Sequence, residues 1–367
     1  MEPPSQLSGT GPALEKTILS NLYDCVLGNT AEDVNAIWQL KSIKKSKLTR
    51  ITHNYLLKGA STRTVYIGEC NEDFPQNPKG ENVNISVNLS IDKIEEIFET
   101  KNSSTLDIIH LTNNHATKLD REVFLKLATS EDSIVLGRDF DNHHWVFGSK
   151  ILILLSDVYA PAHPCDRCLS SKYGILHLDG IPTGVTQWTN EFIQAKISGL
   201  TTLREPGPLG HHYFYPNFEL RNAIVSHLAK FFDTVKLHQN AFHKLIDDDR
   251  WTEWTRYKTH WIIPVGNDLP IRFFDALVSG GIPIVWEEIA HYIEALGIPK
   301  AFYVTYSAEE IFHPIRIVQR AVKIFDDYGA SGIVARALYT LENFHYICLS
   351  TGAWKRTKNI LLQQLCV

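Results

Sequence analysis

The chain has no apolar run near the roughly 20 residues needed to cross a bilayer as a helix. It also lacks an excess of one charge, a spaced set of cysteines, internal repeats and a low-complexity core. Each absence removes a class of protein. With 36 Lys and Arg against 41 Asp and Glu, the net charge is −5, which gives no footing for non-specific binding to nucleic acid. The six cysteines are Cys25, Cys70, Cys165, Cys168, Cys348 and Cys366. They are scattered except for one Cys-x-x-Cys, and a disulfide framework belongs to much shorter chains. The stretch His163-Pro164-Cys165-Asp166-Arg167-Cys168 holds zinc-type ligands, but the second regularly spaced pair of a structural zinc site is not evident. The opening Met1-Glu2-Pro3-Pro4 lacks the basic n-region of a signal peptide. These features lead us to expect a soluble, cytoplasmic protein with no nucleic-acid partner. A peripheral contact at the inner face of a membrane stays open.

What is present is enough material for two domains of ordinary size: 367 residues, 44% hydrophobic and 21% charged. Residues 13–47 read as helical, and 41–50 (KSIKKSKLTR) are basic, either a solvated helix end or a contact for an anionic surface. Strands are expected at 64–70, 83–89, 106–112, 133–137 and 150–156, with helices at 92–99, 120–128 and 186–199. The run Glu205-Pro206-Gly207-Pro208-Leu209-Gly210 reads as a linker. Beyond it, helices are expected at 218–232, 251–258, 311–326 and 333–349, and strands at 234–237 and 301–305. Alternation of this kind gives a parallel sheet with helices on its faces. The expected organisation is a helical segment 1–60, a Rossmann-like domain 61–205, a second one at 211–330, and C-terminal helices 331–367.

The most informative stretch is 260–286, HWIIPVGNDLPIRFFDALVSGGIPIVW. It reads as strand 260–265, turn, helix 271–279 and strand 282–286. Asn267 or Asp268 can cap the helix, and Pro270 suits its first turn. Arg272, Asp275 and Ser279 share one stripe of that helix, while Phe273, Leu277 and Gly280 point at the sheet. An arginine at a helix start can hold phosphate alongside the free N–H groups, and Asp275 can accept a ribose hydroxyl. The alternative is a plain βαβ unit with Arg272 and Asp275 as a surface pair. Lys258 and Arg221 are further candidates for phosphate.

The first half carries its own polar rim. Arg138-Asp139-Phe140-Asp141-Asn142-His143-His144-Trp145 follows one expected strand, and Ser156-Asp157-Val158-Tyr159-Ala160-Pro161-Ala162-His163 follows the next. Glu69 ends the first strand, and Asn113-Asn114-His115 the third. Strand ends offering Glu69, His115, Asp141, His143, His144 and His163 to one rim suit acid–base or nucleophilic chemistry. Asp141, His143, His144 and His163 as metal ligands are the rival reading. Each residue taken singly is an ordinary turn or loop group. Trp145 and Tyr213 are candidates to stack on a sugar or base.

The pattern Arg272, Asp275-Ala276-Leu277, Gly281-Ile282-Pro283-Ile284-Val285 resembles the donor-binding segment of GT-B glycosyltransferases, especially the exostosin-like group. It departs in Pro270, where relatives carry serine, and in Asp275, where glutamate is commoner. Asp141-Asn142-His143-His144-Trp145, Asp157 through Pro164, Phe218-Glu219-Leu220-Arg221-Asn222 and Asp268-Leu269-Pro270 with Arg272 and Asp275 together resemble the retaining β-Kdo transferases of bacterial surface polysaccharide assembly. That resemblance implies an α/β fold of two Rossmann-like domains facing across a cleft, with CMP-Kdo as donor and a polysaccharide or glycolipid acceptor. It implies a Glu, an Asp nucleophile and a His in the first domain, which fall on Glu69, Asp141 and His163, with Asp139 competing for the nucleophile. Arg272, Lys258, Arg221, Asp275, Ser279 and Asn267 would hold the donor, with His115, Asn142, His143 and His144 elsewhere on the rim. No metal or other cofactor is expected. The alternatives are an inverting exostosin-like transferase using a UDP- or GDP-sugar, and an inactive module that binds glycan or a partner protein.

Overall fold

The computed structural model describes residues 12–28, 34–67, 82–85, 91–100, 104–140, 147–163, 173–239, 245, 247–266 and 268–364. The chain falls into two compact units, Met1–Ile181 with Ser350–Val367, and Pro182–Leu349. Both are α/β units built on parallel strands.

The first unit opens with α1 (Pro12–Gly28) and α2 (Val34–Ile51). Its strands are β1 (Ser61–Ile67), β2 (Asn82–Ile85), β3 (Thr105–Thr112), β4 (Ser133–Asp139), β5 (Val158–Pro161) and β6 (Leu176–His177). They form one sheet in the order β2-β1-β3-β4-β5-β6, parallel throughout. Helices α3 (Ile91–Glu99), α4 (Asn113–Ala116), α5 (Arg121–Thr129) and α6 (Phe147–Leu155) connect them. β3 and β4 are buried at every position, as strands covered on both faces must be. Ile18, Leu19, Leu22 and Val26 of α1 and Leu40 of α2 share a core with Val65, Ile109, Leu111 and Val135 of the sheet. α5 starts where Asp120 accepts a hydrogen bond from Val123 N at 2.8 Å, a cap worth about 1 kcal/mol.

The expected strand at 150–156 is wrong. Residues 150–155 belong to α6, and Ile151 to Leu155 are all buried. An unbroken apolar run has no period to separate strand from helix. The strand comes after it, at β5. The basic stretch 41–50 is also more than a solvated helix end. Lys44 and Lys47 turn inward and are buried. Lys47 Nζ pairs with Asp157 Oδ2 at 2.7 Å, and that same oxygen accepts Val135 N at 2.9 Å. Lys44 Nζ donates to the Ser156 carbonyl, and burial brings its ammonium down to about 8. α2 is thus fastened to the segments that open β4 and β5.

In the second unit, α7 (Asn190–Ile197) precedes β7 (Gly210–Tyr213), α8 (Glu219–Leu228), β8 (Val235–His238), α9 (Asp247–Arg256), β9 (Thr259–Ile262), α10 (Ile271–Val278), β10 (Ile282–Trp286), α11 (Ala290–Ala295), β11 (Val304–Tyr306) and α12 (Pro314–Phe344). A last helix, α13 (Tyr346–Gln363), begins in this unit and ends in the first. β11, β10 and β9 pair in that order, and β7 pairs with β8. A parallel bridge, Leu209↔His260, joins the two sheets. Leu209 N donates to Thr259 O at 2.9 Å, and Trp261 N to Leu209 O at 2.8 Å. The resulting order, β8-β7-β9-β10-β11, repeats the second-first-third-fourth-fifth order of the first unit. It is the doubly wound arrangement, whose switch point lies between the first and third strands.

Residues 205–210 lie inside the second unit rather than between units. Glu205 N donates to Arg256 O at 2.9 Å and Lys258 N to Glu205 O at 2.8 Å, so Gly and Pro mark bends in an extended, paired segment. α12 carries its expected interruption as a break at Gly329, with φ 54° and ψ −151°. Among the described residues no helix is long and apolar enough to cross a membrane.

The Lys47–Asp157 pair yields a stability test. Asp157→Asn leaves the Lys47 ammonium buried beside a neutral group, and breaking a buried pair from one side costs about 3–5 kcal/mol. Urea unfolding should show a loss of that size. A loss below about 1 kcal/mol, the range of surface pairs, would contradict the role given to it.

Candidate functional site

After β9 the chain turns at Gly266, where φ is +63°. The Asp268 carboxylate accepts Val265 N, Pro270 occupies the N-cap in an extended conformation, and α10 begins. Phe273, Phe274, Ala276, Leu277 and Val278 are fully buried. Arg272 and Asp275, one turn apart, both line a cavity of about 370 Å³. Its walls come from Leu209, Gly210 and His211 around β7, Trp261 and Ile262 of β9, and Arg250, Glu253 and Trp254 of α9. The cavity therefore sits at the switch point, between the first and third strands of the unit, where doubly wound sheets bind ligands.

The charge arrangement is unusual for a buried site. His212 is fully buried. Its Nε2 lies 3.0 Å from the Trp261 carbonyl, which can only accept, so Nε2 carries the proton. Nδ1 then faces Arg272 Nη1 at 3.1 Å and Arg221 Nη2 at 3.5 Å. Burial first, then the Arg272 and Arg221 charges, hold the imidazole neutral, its pKa well below the usual range. Burial works the other way on the acids. It pushes Asp268 up to about 7 and Asp275 up to about 8, against the pull of nearby arginines. Asp275 Oδ1 has no hydrogen-bond partner. At neutral pH the site gathers guanidinium ions beside an Asp275 that is mostly protonated and an Asp268 near its midpoint, at the N-terminal end of a helix. It is built to take an oxyanion.

The donor residues expected from sequence separate into two sets. Arg272 and Asp275 share the cavity. Arg221 stands behind it, donating to Tyr213 O at 2.7 Å and lying 4.9 Å over the Tyr215 ring. Lys258 does not join them. It precedes the start of β9, at the opposite strand end from α10, and pairs with Asp326 at 2.8 Å. Ser279 closes the far end of α10, buried, with its hydroxyl donating to Ala276 O at 2.9 Å. The 272/275/279 stripe fails at its last member because the helix has ended there and turns at Gly280, whose φ is +79°. Asn267 lies outside the described residues.

In the first unit, His115, Asp139 and His163 fall at the carboxyl ends of β3, β4 and β5. Phe140, directly after β4, donates its N–H to Asn113 Oδ1 at 3.1 Å, and its carbonyl meets His163 Nε2 at 3.2 Å. His115 Nδ1 is 2.9 Å from Thr112 Oγ1. Asp139 is fully buried and accepts the Tyr159 hydroxyl at 2.7 Å. Glu69, Asp141, Asn142, His143, His144, Trp145, Cys165 and Cys168 lie outside the described residues. Tyr213 is half-buried and meets Tyr215 edge-on at 5.5 Å.

His211, His212, Arg250, Glu253 and Trp254 were not found from sequence. His211-His212 at the mouth of a strand was a usable signal. Arg250 and Glu253 were not, because their helix reads as a polar surface segment and its approach to the cavity is set by tertiary packing.

No protein-family model matches the chain, and no curated protein does. Among solved structures, the catalytic domain of starch synthase IV from Arabidopsis thaliana, bound to ADP and acarbose, is similar at a TM-score of 0.39 and 10% identity, covering 75% of this chain and 76% of that one. An α1,3-fucosyltransferase is similar at a TM-score of 0.34 and 11% identity, covering 79% and 92%.

The raised acids give the site a pH dependence of definite sign. Asp275 is protonated below about 8 and ionised above, and an ionised carboxylate beside Arg272 repels a bound anion. Sulfate keeps its charge over this range and serves as the probe. Its affinity should hold steady below about pH 6, decline as Asp268 ionises near 7 and fall further above 8 as Asp275 ionises, and Asp275→Asn should remove the part of the fall above 8. A wild-type profile level to pH 9 in calorimetric titrations would contradict the assignment.

Proposed function

We propose that this chain is a glycosyltransferase that takes a sugar from a nucleotide-activated donor and holds the donor's phosphate at Arg272. One observation carries the reading: Arg272 and Asp275, whose Oδ1 has no hydrogen-bond partner, share a cavity at the switch point, at the start of α10. A phosphate suits the guanidinium and the helix N–H groups, and a sugar or ribose hydroxyl suits Asp275. The segment that builds this cavity is the one that resembles GT-B donor sites.

The motif resemblance favours CMP-Kdo as donor, retention of configuration, and a growing cell-surface polysaccharide or glycolipid as acceptor. Retention takes two inversions. Asp141 attacks the anomeric carbon as CMP leaves with the bonding pair, giving a glycosyl ester. The acceptor hydroxyl then displaces the carboxylate while Glu69 takes its proton. His163 would complete the rim. Asp141 is preferred to Asp139, since Asp139 is buried and committed to the Tyr159 hydroxyl. Arg272 takes the charge that grows on the leaving phosphate, so this reading calls on no cofactor. A cytoplasmic place, with peripheral contact to a membrane, would suit a lipid-linked acceptor.

A second reading has its own support. Arg250 lines the same cavity as Arg272, and two cations suit the diphosphate of a UDP- or GDP-sugar used by an inverting enzyme.

Thermal unfolding with CMP, UDP and GDP tests both. A nucleotide at 100 times its Kd stabilises by about 2.7 kcal/mol, a rise of several degrees. Selective stabilisation by CMP supports the first donor, and by UDP or GDP the second. Arg272→Ala should abolish the rise in either case. If no nucleotide raises the melting temperature, the proposed function is wrong.

A further inference from the structure

Arg221 and Arg272 carry like charges, yet both guanidinium groups reach one atom, His212 Nδ1. The imidazole is the hinge of that arrangement. Its Nε2–H is spent on the Trp261 carbonyl, so its tautomer is fixed by backbone, and its remaining lone pair points at the arginines. Arg221 is held from behind by the Tyr213 carbonyl and the Tyr215 ring. Among the described residues, Arg272 makes its one side-chain hydrogen bond to His212. A guanidinium has five N–H donors, so the rest of its fork remains for a ligand in the cavity that it lines.

We propose that His212 is a positioning residue for the anion site, a neutral acceptor that aims Arg272 at the cavity without cancelling its charge. The inference rests on Arg272 being the phosphate contact, as proposed above. The chemistry explains why imidazole stands here rather than an acid. A carboxylate would orient the guanidinium equally well, through a bidentate pair. It would also neutralise it, and an incoming phosphate would have to displace a salt bridge. An apolar residue would leave the charge but free the side chain to rotate. Only a neutral acceptor keeps both orientation and charge, and the β7–β9 bridge puts the Trp261 carbonyl where it fixes which ring nitrogen carries the proton, while burial and the two arginines keep the ring neutral.

The test measures pyrophosphate binding by titration calorimetry on the full chain, with circular dichroism melts as a folding control. Three variants separate the terms: His212→Gln keeps a neutral acceptor, His212→Leu removes it, and His212→Glu adds a charged one. Loss of a hydrogen bond to a charged group should weaken binding about tenfold or more in His212→Leu, and His212→Glu should weaken it similarly. His212→Gln should stay close to wild type. In an Arg272→Lys background, which keeps the charge and measurable binding but loses the guanidinium fork, the His212 changes should have a much smaller effect, which a purely structural role would not produce. If His212→Leu does not fold, the Gln and Glu variants decide the matter by their difference. Equal affinities for wild type and the folded His212 variants, in a protein where Arg272→Gln abolishes binding, would overturn this inference alone. No pyrophosphate binding by wild type would overturn both it and the proposed function.

Discussion

The site depends on β7 lying beside β9. Leu209 and His260 make the bridge, with backbone hydrogen bonds of 2.9 and 2.8 Å on either side. That contact skips β8 and so creates the reversal in strand order. It also sets His212 against the Trp261 carbonyl and opens the space above the two strands into which α10 begins. Gly281 protects the arrangement from below. A Cβ there would come within 2.4 Å of His260 Nε2, and His260 itself stacks on Trp254 at 4.8 Å. The cavity wall and the strand register are thus fixed by the same residues.

Burial then decides the electrostatics. Removing an ionisable group from water disfavours its charged form, so acids rise and histidines fall. Arginine stays charged throughout because its intrinsic pKa is so high. The outcome is a site whose cations survive while Asp275 is mostly protonated at neutral pH and the His212 imidazole is neutral, which a surface cluster of the same residues would not give. Elsewhere the second unit handles buried cations with carbonyl oxygens. Arg336, also buried, donates through Nε and Nη2 to the Gly280 carbonyl at 3.1 and 2.8 Å, closing the end of α10. The two ends of this helix are therefore treated alike in kind: arginine at each, one facing a cavity and one spent on backbone.

Much of the fold was legible in the chain. The α/β class followed from alternation, and 282–286 is a strand with the bounds read from sequence. The run 150–156 misled because apolar residues without a period fit either element, and 205–210 misled because Gly and Pro report bends and not boundaries. At the site, Arg272 and Asp275 could be read because helical spacing is local. Lys258 and Ser279 could not be excluded, since only the strand direction shows that they stand at the opposite strand ends. His212 lies on β7 and Arg250 and Glu253 on α9, and only the three-dimensional arrangement brings them to α10.

The most direct test of the oxyanion site is a crystal structure of the chain with a nucleotide bound, UDP and CMP each being tried. The account expects a phosphate oxygen in the cavity between β7 and β9, within hydrogen-bond distance of the Arg272 guanidinium and the first N–H groups of α10. A nucleotide bound elsewhere on the chain, with Arg272 untouched, would contradict it.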